Sequence, residues 1–188
     1  MTHDFDATSC VIPIGPEAGP DPHGFVRHLR GSEFHWFFVQ GAQAIRRDLY
    51  VPGVSALLNG IEASLRVTIA QLEAQGNIDE LSPYRVLSNN LIKNAKDLDV
   101  PVESLAFPNE TDFLAKLETQ KSNRIDVEVV RQRNNICHGN IMDYINRDLG
   151  EEYAFFTPEC LRDFANVLVD VSTDWAKELG DFRRTLGY

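Results

Sequence analysis

The chain predicts an all-α fold, a bundle of about five or six helices. Three features predict it. Apolar residues recur every three or four positions over long stretches. No stretch alternates with the period of a strand. Several stretches open or close on residues that cap helices. With 188 residues and 43% hydrophobic composition, the chain is large enough for one well-packed domain.

The first 24 residues hold Pro13, Pro16, Pro20, Pro22, Gly15, Gly19 and Gly24, the composition of an extended arm. The expected organisation is therefore an N-terminal arm over 1–30 and a helical domain over 31–188. Met1 to Ser9 carries His and acids rather than Lys or Arg ahead of an apolar run, so no secretory signal is expected. No apolar run approaches the length of a membrane span.

A first helix is expected over about 33–49, with Ser32 as N-cap and Phe34, Phe37, Phe38, Gly41, Ile45 and Leu49 as its apolar stripe. Val51-Pro52-Gly53 should break it. A second helix runs to about Gln75, burying Val54, Leu58, Ile61, Leu65, Ile69 and Leu72, and Gly76-Asn77 ends it. Ser82-Pro83 opens a third helix with Val86, Leu87, Asn90, Leu91 and Leu98 facing inward. Residues 99–109 form a connector with Pro101 and Pro108, and a short helix spans about 111–120. The next helix runs from about Asn123 to at least His138, with Ile125, Val129 and Ile136 on its buried side. After a loop over 146–156, Thr157-Pro158-Glu159 starts a final helix of more than six turns. It is lined by Leu161, Phe164, Leu168, Val171, Trp175, Leu179 and Phe182.

Function concentrates in Arg131-Gln132-Arg133-Asn134-Asn135-Ile136-Cys137-His138-Gly139-Asn140. An Arg followed by a His at this distance is common, and Arg30 and His35 repeat the spacing. The tighter pattern Arg-Asn-x-x-x-His arises by chance in roughly one chain of this size in a hundred. Arg133 offers a fork for a phosphate, Asn134 an amide, and His138 a group that exchanges protons near neutral pH. Arg131, Asn134, Asn135 and His138 share one helical face, a polar stripe suited to a cleft or interface, or to a hydrogen-bond network closing a bundle end.

The stretch resembles the signature of the HEPN family, an Arg, a polar residue and a His about a turn later within an all-helical domain. Arg133, Asn134 and His138 match it, and Gly139 matches a common variant. The resemblance covers about residues 30 to 186, with a weaker echo at Leu98-Asp99-Val100-Pro101. It implies a HEPN-like bundle that cleaves RNA as a homodimer, with the Arg and His of both protomers lining a shared cleft. A toxin or anti-phage setting follows, with an inhibitor or antitoxin protein as a further partner. In the branch paired with a nucleotidyltransferase antitoxin, a Tyr two residues after the His is modified. This chain has Asn140 there, and its next Tyr is Tyr144.

The implied chemistry uses RNA's own 2′-hydroxyl, which attacks the adjacent phosphorus and leaves a 2′,3′-cyclic phosphate. Arg133 would neutralise the phosphorane, His138 would move a proton, and Asn134 would orient His138 or a phosphate oxygen. Arg131, Asn135, Arg124 and Lys121 are the expected RNA contacts. No metal or cofactor is expected. On an ideal helix Arg133 lies about 140° from His138, so either the helix distorts near Asn135 or two chains pool their residues.

Composition narrows the alternatives. A net charge of −10 argues against general coating of nucleic acid. The basic run Lys116, Lys121, Arg124, Arg131 and Arg133 could serve a small cleft or be an ordinary solvated face. Cys10, Cys137 and Cys160 have no paired spacing, which fits a reducing cytoplasm. Cys137 and His138 are adjacent on a helix and poorly placed to exchange a proton. No two His have ligand spacing, and no Gly-rich phosphate loop or Ser-His-Asp set is present. His35 and Trp36 are expected to pack, and Glu62 with Arg66 to form an exposed salt bridge. Family members often carry a polar cleft-facing residue on that helix, which keeps Glu62 as an accessory candidate. The competing function is a non-catalytic HEPN-like module that binds RNA or a nucleotide or serves for dimerisation.

Overall fold

The computed structural model describes residues 22–74, 81, 85–119, 125–145, 147 and 150–187. Seven α-helices appear among them, and no strand does. They are α1 (Pro22–Leu29), α2 (His35–Ile45), α3 (Tyr50–Glu73), α4 (Asn89–Asp97), α5 (Phe113–Glu118), α6 (Glu128–His138) and α7 (Arg162–Thr185). Short 3₁₀ turns occupy Val102–Leu105, Ile141–Asp143, Glu151–Tyr153 and Pro158–Leu161. No helix among the described residues is long and apolar enough to cross a membrane.

The two 24-residue helices α3 and α7 form the centre. Val54, Leu58, Ile61, Leu65 and Ile69 of α3 are buried, as are Leu168, Val171, Trp175 and Leu179 of α7. The Trp175 indole donates to Ser64 Oγ at 2.9 Å, tying the two helices together in the core. Thr157 caps the turn that leads into α7, and Pro158 opens that turn.

Several boundaries differ from those the sequence predicts. The domain begins earlier than residue 31. Residues 22–29, read as part of the arm, form α1, because Pro22 sits at the first helical position, where its missing N–H costs nothing. Phe25 and Leu29 enter the core, and Phe25 stacks on Phe38 with ring centroids 5.4 Å apart. Ser32 does not cap α2. That helix starts at His35, whose Nδ1 lies 3.0 Å from the Gly31 carbonyl. Trp36 is 59% exposed rather than packed, and Phe37 and Leu49 also face out.

Helix α2 ends where Asp48 turns into the left-handed region (φ 58°) and Leu49 N–H bonds back to Ala44 O at 2.9 Å. Val51-Pro52-Gly53 is helical, not a break, since Pro52 lies in the first turn of α3, where amides lack partners. Gly53 instead serves packing. A Cβ there would lie 3.0 Å from Gly41 O and 2.5 Å from the Ile45 side chain, so α2 and α3 cross at closest range. Helix α4 starts at Asn89, capped by Ser88 Oγ accepting from Leu91 N. Val86 and Asn90 are exposed, while Asn89, Ile92 and Ala95 face inward. The Gly76-Asn77 stop and the Ser82-Pro83 start lie outside the described residues.

Buried Arg183 of α7 fastens the top of the bundle. Its Nε donates to Arg30 O at 3.0 Å, and its Nη1 donates to Gln71 Oε1 at 2.5 Å and Thr68 Oγ1 at 3.3 Å. The guanidinium also lies over the Phe34 ring, 5.4 Å from its centroid. One turn earlier, Gly180 lets α1 dock, because a Cβ there would sit 1.7 Å from the His28 carbonyl oxygen. Gly180→Ala gains helix propensity of about 1 kcal/mol, but it drives a methyl into backbone that cannot swing away. Its unfolding free energy in urea is expected to fall by about 2 kcal/mol. An unchanged midpoint would contradict the tight α1–α7 contact.

Candidate functional site on helix α6

Helix α6 has only 11 residues, and distant side chains start it. Val127, at its N-cap position, offers no side-chain cap. The carboxylate of Glu110, only 4% exposed, supplies one: its Oε1 accepts from Glu128 N at 2.8 Å and from Lys116 Nζ at 3.0 Å. The other oxygen, Oε2, accepts from Phe107 N at 3.3 Å. Asn89 holds the strand of chain leading in, donating to Ile125 O at 2.9 Å and accepting from Val127 N at 3.1 Å. Ile125 therefore lies in this extended lead-in with its side chain 61% exposed, not on the buried side of the helix. Val129, Val130 and Gln132 face the interior, with Ile136 partly buried behind them.

Arg133 points toward α3. Its Nη2 lies 3.3 Å from Glu62 Oε2, which also accepts the Leu87 amide at 2.8 Å. Arg66 approaches the other oxygen of Glu62 at 3.7 Å. The Glu62–Arg66 contact is thus half-buried and shared with the motif, rather than an isolated exposed bridge. Arg133 Nη1 donates to Asn134 Oδ1 at 3.4 Å, and Asn134 Nδ2 donates to Asp126 Oδ2 at 3.4 Å. Arg133 Nε is buried with no hydrogen-bond partner.

The opposite side of α6 holds a second network. Arg131 grips Glu128 with two bonds, at 2.9 and 2.7 Å, and its Nη1 donates to Asp143 Oδ2 at 3.2 Å. Asn135 donates to the same Asp143 oxygen at 2.8 Å and accepts from Asn140 at 3.1 Å. Gln132 Nε2 donates to Glu128 at 2.6 Å, and the Tyr144 hydroxyl donates to Gln132 Oε1. Burial pushes the Tyr144 hydroxyl up to about 12. The hydrogen bond from Arg131 is the largest cause holding the Glu128 carboxyl below the usual glutamate range.

His138 ends the helix. It is exposed and makes no hydrogen bond among the described residues. Gly139 caps the helix in the left-handed conformation (φ 69°), and Cys137 is exposed beside it. The helix is regular α from Glu128 to His138, without distortion at Asn135. Arg133 and His138 thus remain about 140° apart, one aimed at α3 and one at solvent.

The structure accordingly divides the predicted site. Arg133 and Asn134 gather with Glu62 and Asp126, Arg131 and Asn135 gather around Asp143, and His138 stands apart. Lys121 and Arg124 lie outside the described residues. Lys116, Arg131 and Arg133 each face a carboxylate, so these cations do not form an open basic patch. A 430 Å³ cleft lined by Phe107, Glu110, Asp112, Lys116 and Glu128 opens at the start of α6. Among the described residues no cluster of His, Cys, Asp and Glu could hold a metal ion. Sequence reasoning missed Glu110, Asn89 and Asp143. Comparison with family models, curated proteins and solved structures returns no match.

The lowered Glu128 pKa carries a pH signature. A carboxyl titrating lower in the folded than in the unfolded state stabilises the fold fully above its ordinary range. That contribution fades as pH falls through the folded value. The stability gap between the native chain and Glu128→Gln should be constant from neutral pH down to the ordinary glutamate range, then close toward acid. A gap that widens in acid would reverse the assignment.

Proposed function

We propose that this chain is a metal-independent endoribonuclease of the HEPN type, cleaving RNA by 2′-hydroxyl attack to leave a 2′,3′-cyclic phosphate. One observation carries the reading. Arg133 is fixed by Glu62 across the bundle, yet its Nε is buried and unsatisfied. A buried donor without a partner costs about 1–3 kcal/mol, and an anion that completes the set is one of the explanations such a cost admits. A phosphate oxygen would complete it. Arg133 then stabilises the phosphorane, Asn134 orients, and exposed His138 transfers a proton.

The regular helix directs Arg133 and His138 to different sides, so the proposal pools the two residues between protomers of a homodimer. Glu62 acts as a positioning residue. A toxin or anti-phage role, with an inhibitor protein, belongs to the same reading and rests on the resemblance alone. The second reading is a non-catalytic RNA- or nucleotide-binding or dimerisation module. It is favoured by the carboxylate pairing of each described cation around the motif.

The deciding experiment incubates the purified chain with total cellular RNA in EDTA and reads product ends and oligomeric state. Cyclic-phosphate ends are expected, lost by about a hundredfold or more in His138→Ala and in Arg133→Ala, with folding and dimerisation retained. Equal cleavage by His138→Ala, or activity only with added magnesium, would overturn the mechanism. Binding without cleavage would favour the module.

A further inference from the structure

The Ile141–Asp143 turn places a carboxylate against the outer polar face of α6. Asp143 Oδ2 takes both outward donors of the polar stripe, Arg131 Nη1 at 3.2 Å and Asn135 Nδ2 at 2.8 Å. The two donors converge on a single oxygen. An arginine and an amide gripping one anionic oxygen is the grip that backbone phosphates receive from binding proteins. We propose that Asp143 is an internal phosphate surrogate, a latch that occupies the RNA-contacting face of α6 and yields it to an RNA strand. This deepens the ribonuclease reading and rests on it for the identity of the polyanion.

The build of the turn suits release. It contains no buried residue, and Ile141 and Met142 are exposed, so no apolar packing holds it down. The Arg131 and Asp143 side chains are 47% and 43% exposed, the range in which an ion pair contributes little. The turn is bounded by left-handed Gly139 on one side and Tyr144 on the other. Tyr144 stays anchored through Gln132 and against Phe164, with ring centroids 6.0 Å apart. Rotation of the Asp143 side chain alone frees both donors without moving either boundary, and exposed side chains rotate within nanoseconds.

Charge makes the latch selective. With Glu128 and Asp143 both on Arg131, two carboxylates face one guanidinium, and the closed patch repels phosphate. Glu128 keeps Arg131 in place after Asp143 leaves. The tethered carboxylate has the advantage of high effective concentration, so a single phosphate ion competes poorly. A strand that also engages the rest of the motif helix competes well.

The test compares Asp143→Asn with the native chain. Asparagine keeps the shape and removes the charge. Binding is read by fluorescence anisotropy with a labelled single-stranded RNA, on a His138→Ala background so that the probe survives. Cleavage in EDTA is read with His138 present. The charge-matched control is Asp170→Asn, an exposed acid on α7. Asp143→Asn is expected to bind about fivefold more tightly, the scale of one half-exposed ion pair, and to cleave faster, with Asp170→Asn unchanged. Equal gains in both variants would assign the effect to net charge and overturn the latch. Unchanged or weaker binding by Asp143→Asn overturns it too, and if the native chain still cleaves, the ribonuclease reading survives. Tighter binding without cleavage by any variant keeps the latch and removes the nuclease. RNA binding by neither chain removes both.

Discussion

Helix α3 is buried along most of its 24 residues, and a buried helix can carry polar side chains only if each finds a partner. Four of its side chains meet that demand on different neighbours. Glu62 receives the Leu87 amide and Arg133, and Ser64 receives the Trp175 indole. Thr68 and Gln71 receive the Arg183 guanidinium. These bonds fix where α6, α7 and the approach to α4 sit around the core. Apolar packing alone is tolerant of register; a buried carboxylate or guanidinium that must meet a particular atom is not.

The same constraint explains how a helix as short as α6 presents a defined geometry. Isolated helices of this length are marginal in water. Helix α6 lacks a side-chain N-cap of its own, carries an Arg-Asn-Asn run and ends after 11 residues. Its order comes from outside, from Glu110 at its first amides, Asn89 on the segment before it and Glu62 on its middle turn, while Asp143 meets its outer face. Three of these four are carboxylates. An acidic protein thus uses its surplus charge locally to position and neutralise the cations of its most distinctive stretch, which is why Lys116, Arg131 and Arg133 do not form an open basic surface among the described residues.

Legibility in the sequence followed the length of the pattern. The apolar period of α3 and α7 persists over many turns, so both helices and most of their buried residues could be read from it. Helix α1 could not, because eight residues give barely two turns and the surrounding Pro and Gly resemble an arm. Asn90 rather than Asn89 looked inward because Ser82-Pro83 suggested an earlier start, whereas Ser88 provides the cap. Ile125 fitted the stripe of a longer α6, yet it precedes the helix and contributes its carbonyl instead. Glu62 could be read as a bridge to Arg66 and, through the resemblance alone, as an accessory residue, since its decisive partner lies 71 residues away. Glu110 and Asp143 sit in turns, and nothing local marks an acid whose partners are supplied by tertiary structure.

The candidate site shows the difference between a motif and an active arrangement. Arg133, Asn134 and His138 fall within six residues, yet the helix keeps Arg133 beside Asn134 and sends His138 elsewhere, and the period of 3.6 residues leaves no freedom in this. Arg133 is held and half-buried, its Nε one hydrogen bond short; His138 is exposed and makes no hydrogen bond among the described residues. A catalytic constellation needs both groups on one phosphate at near-contact distance. Within one chain that requires unwinding the last turn of α6, which Gly139 and the Asn140 amide, bonded to Asn135 O at 2.8 Å, oppose. Bringing the exposed His138 of a second copy to the Arg133 side requires no change in the helix. On the proposed ribonuclease reading, the intact α6 geometry would therefore place the burden of chemistry on assembly rather than on distortion.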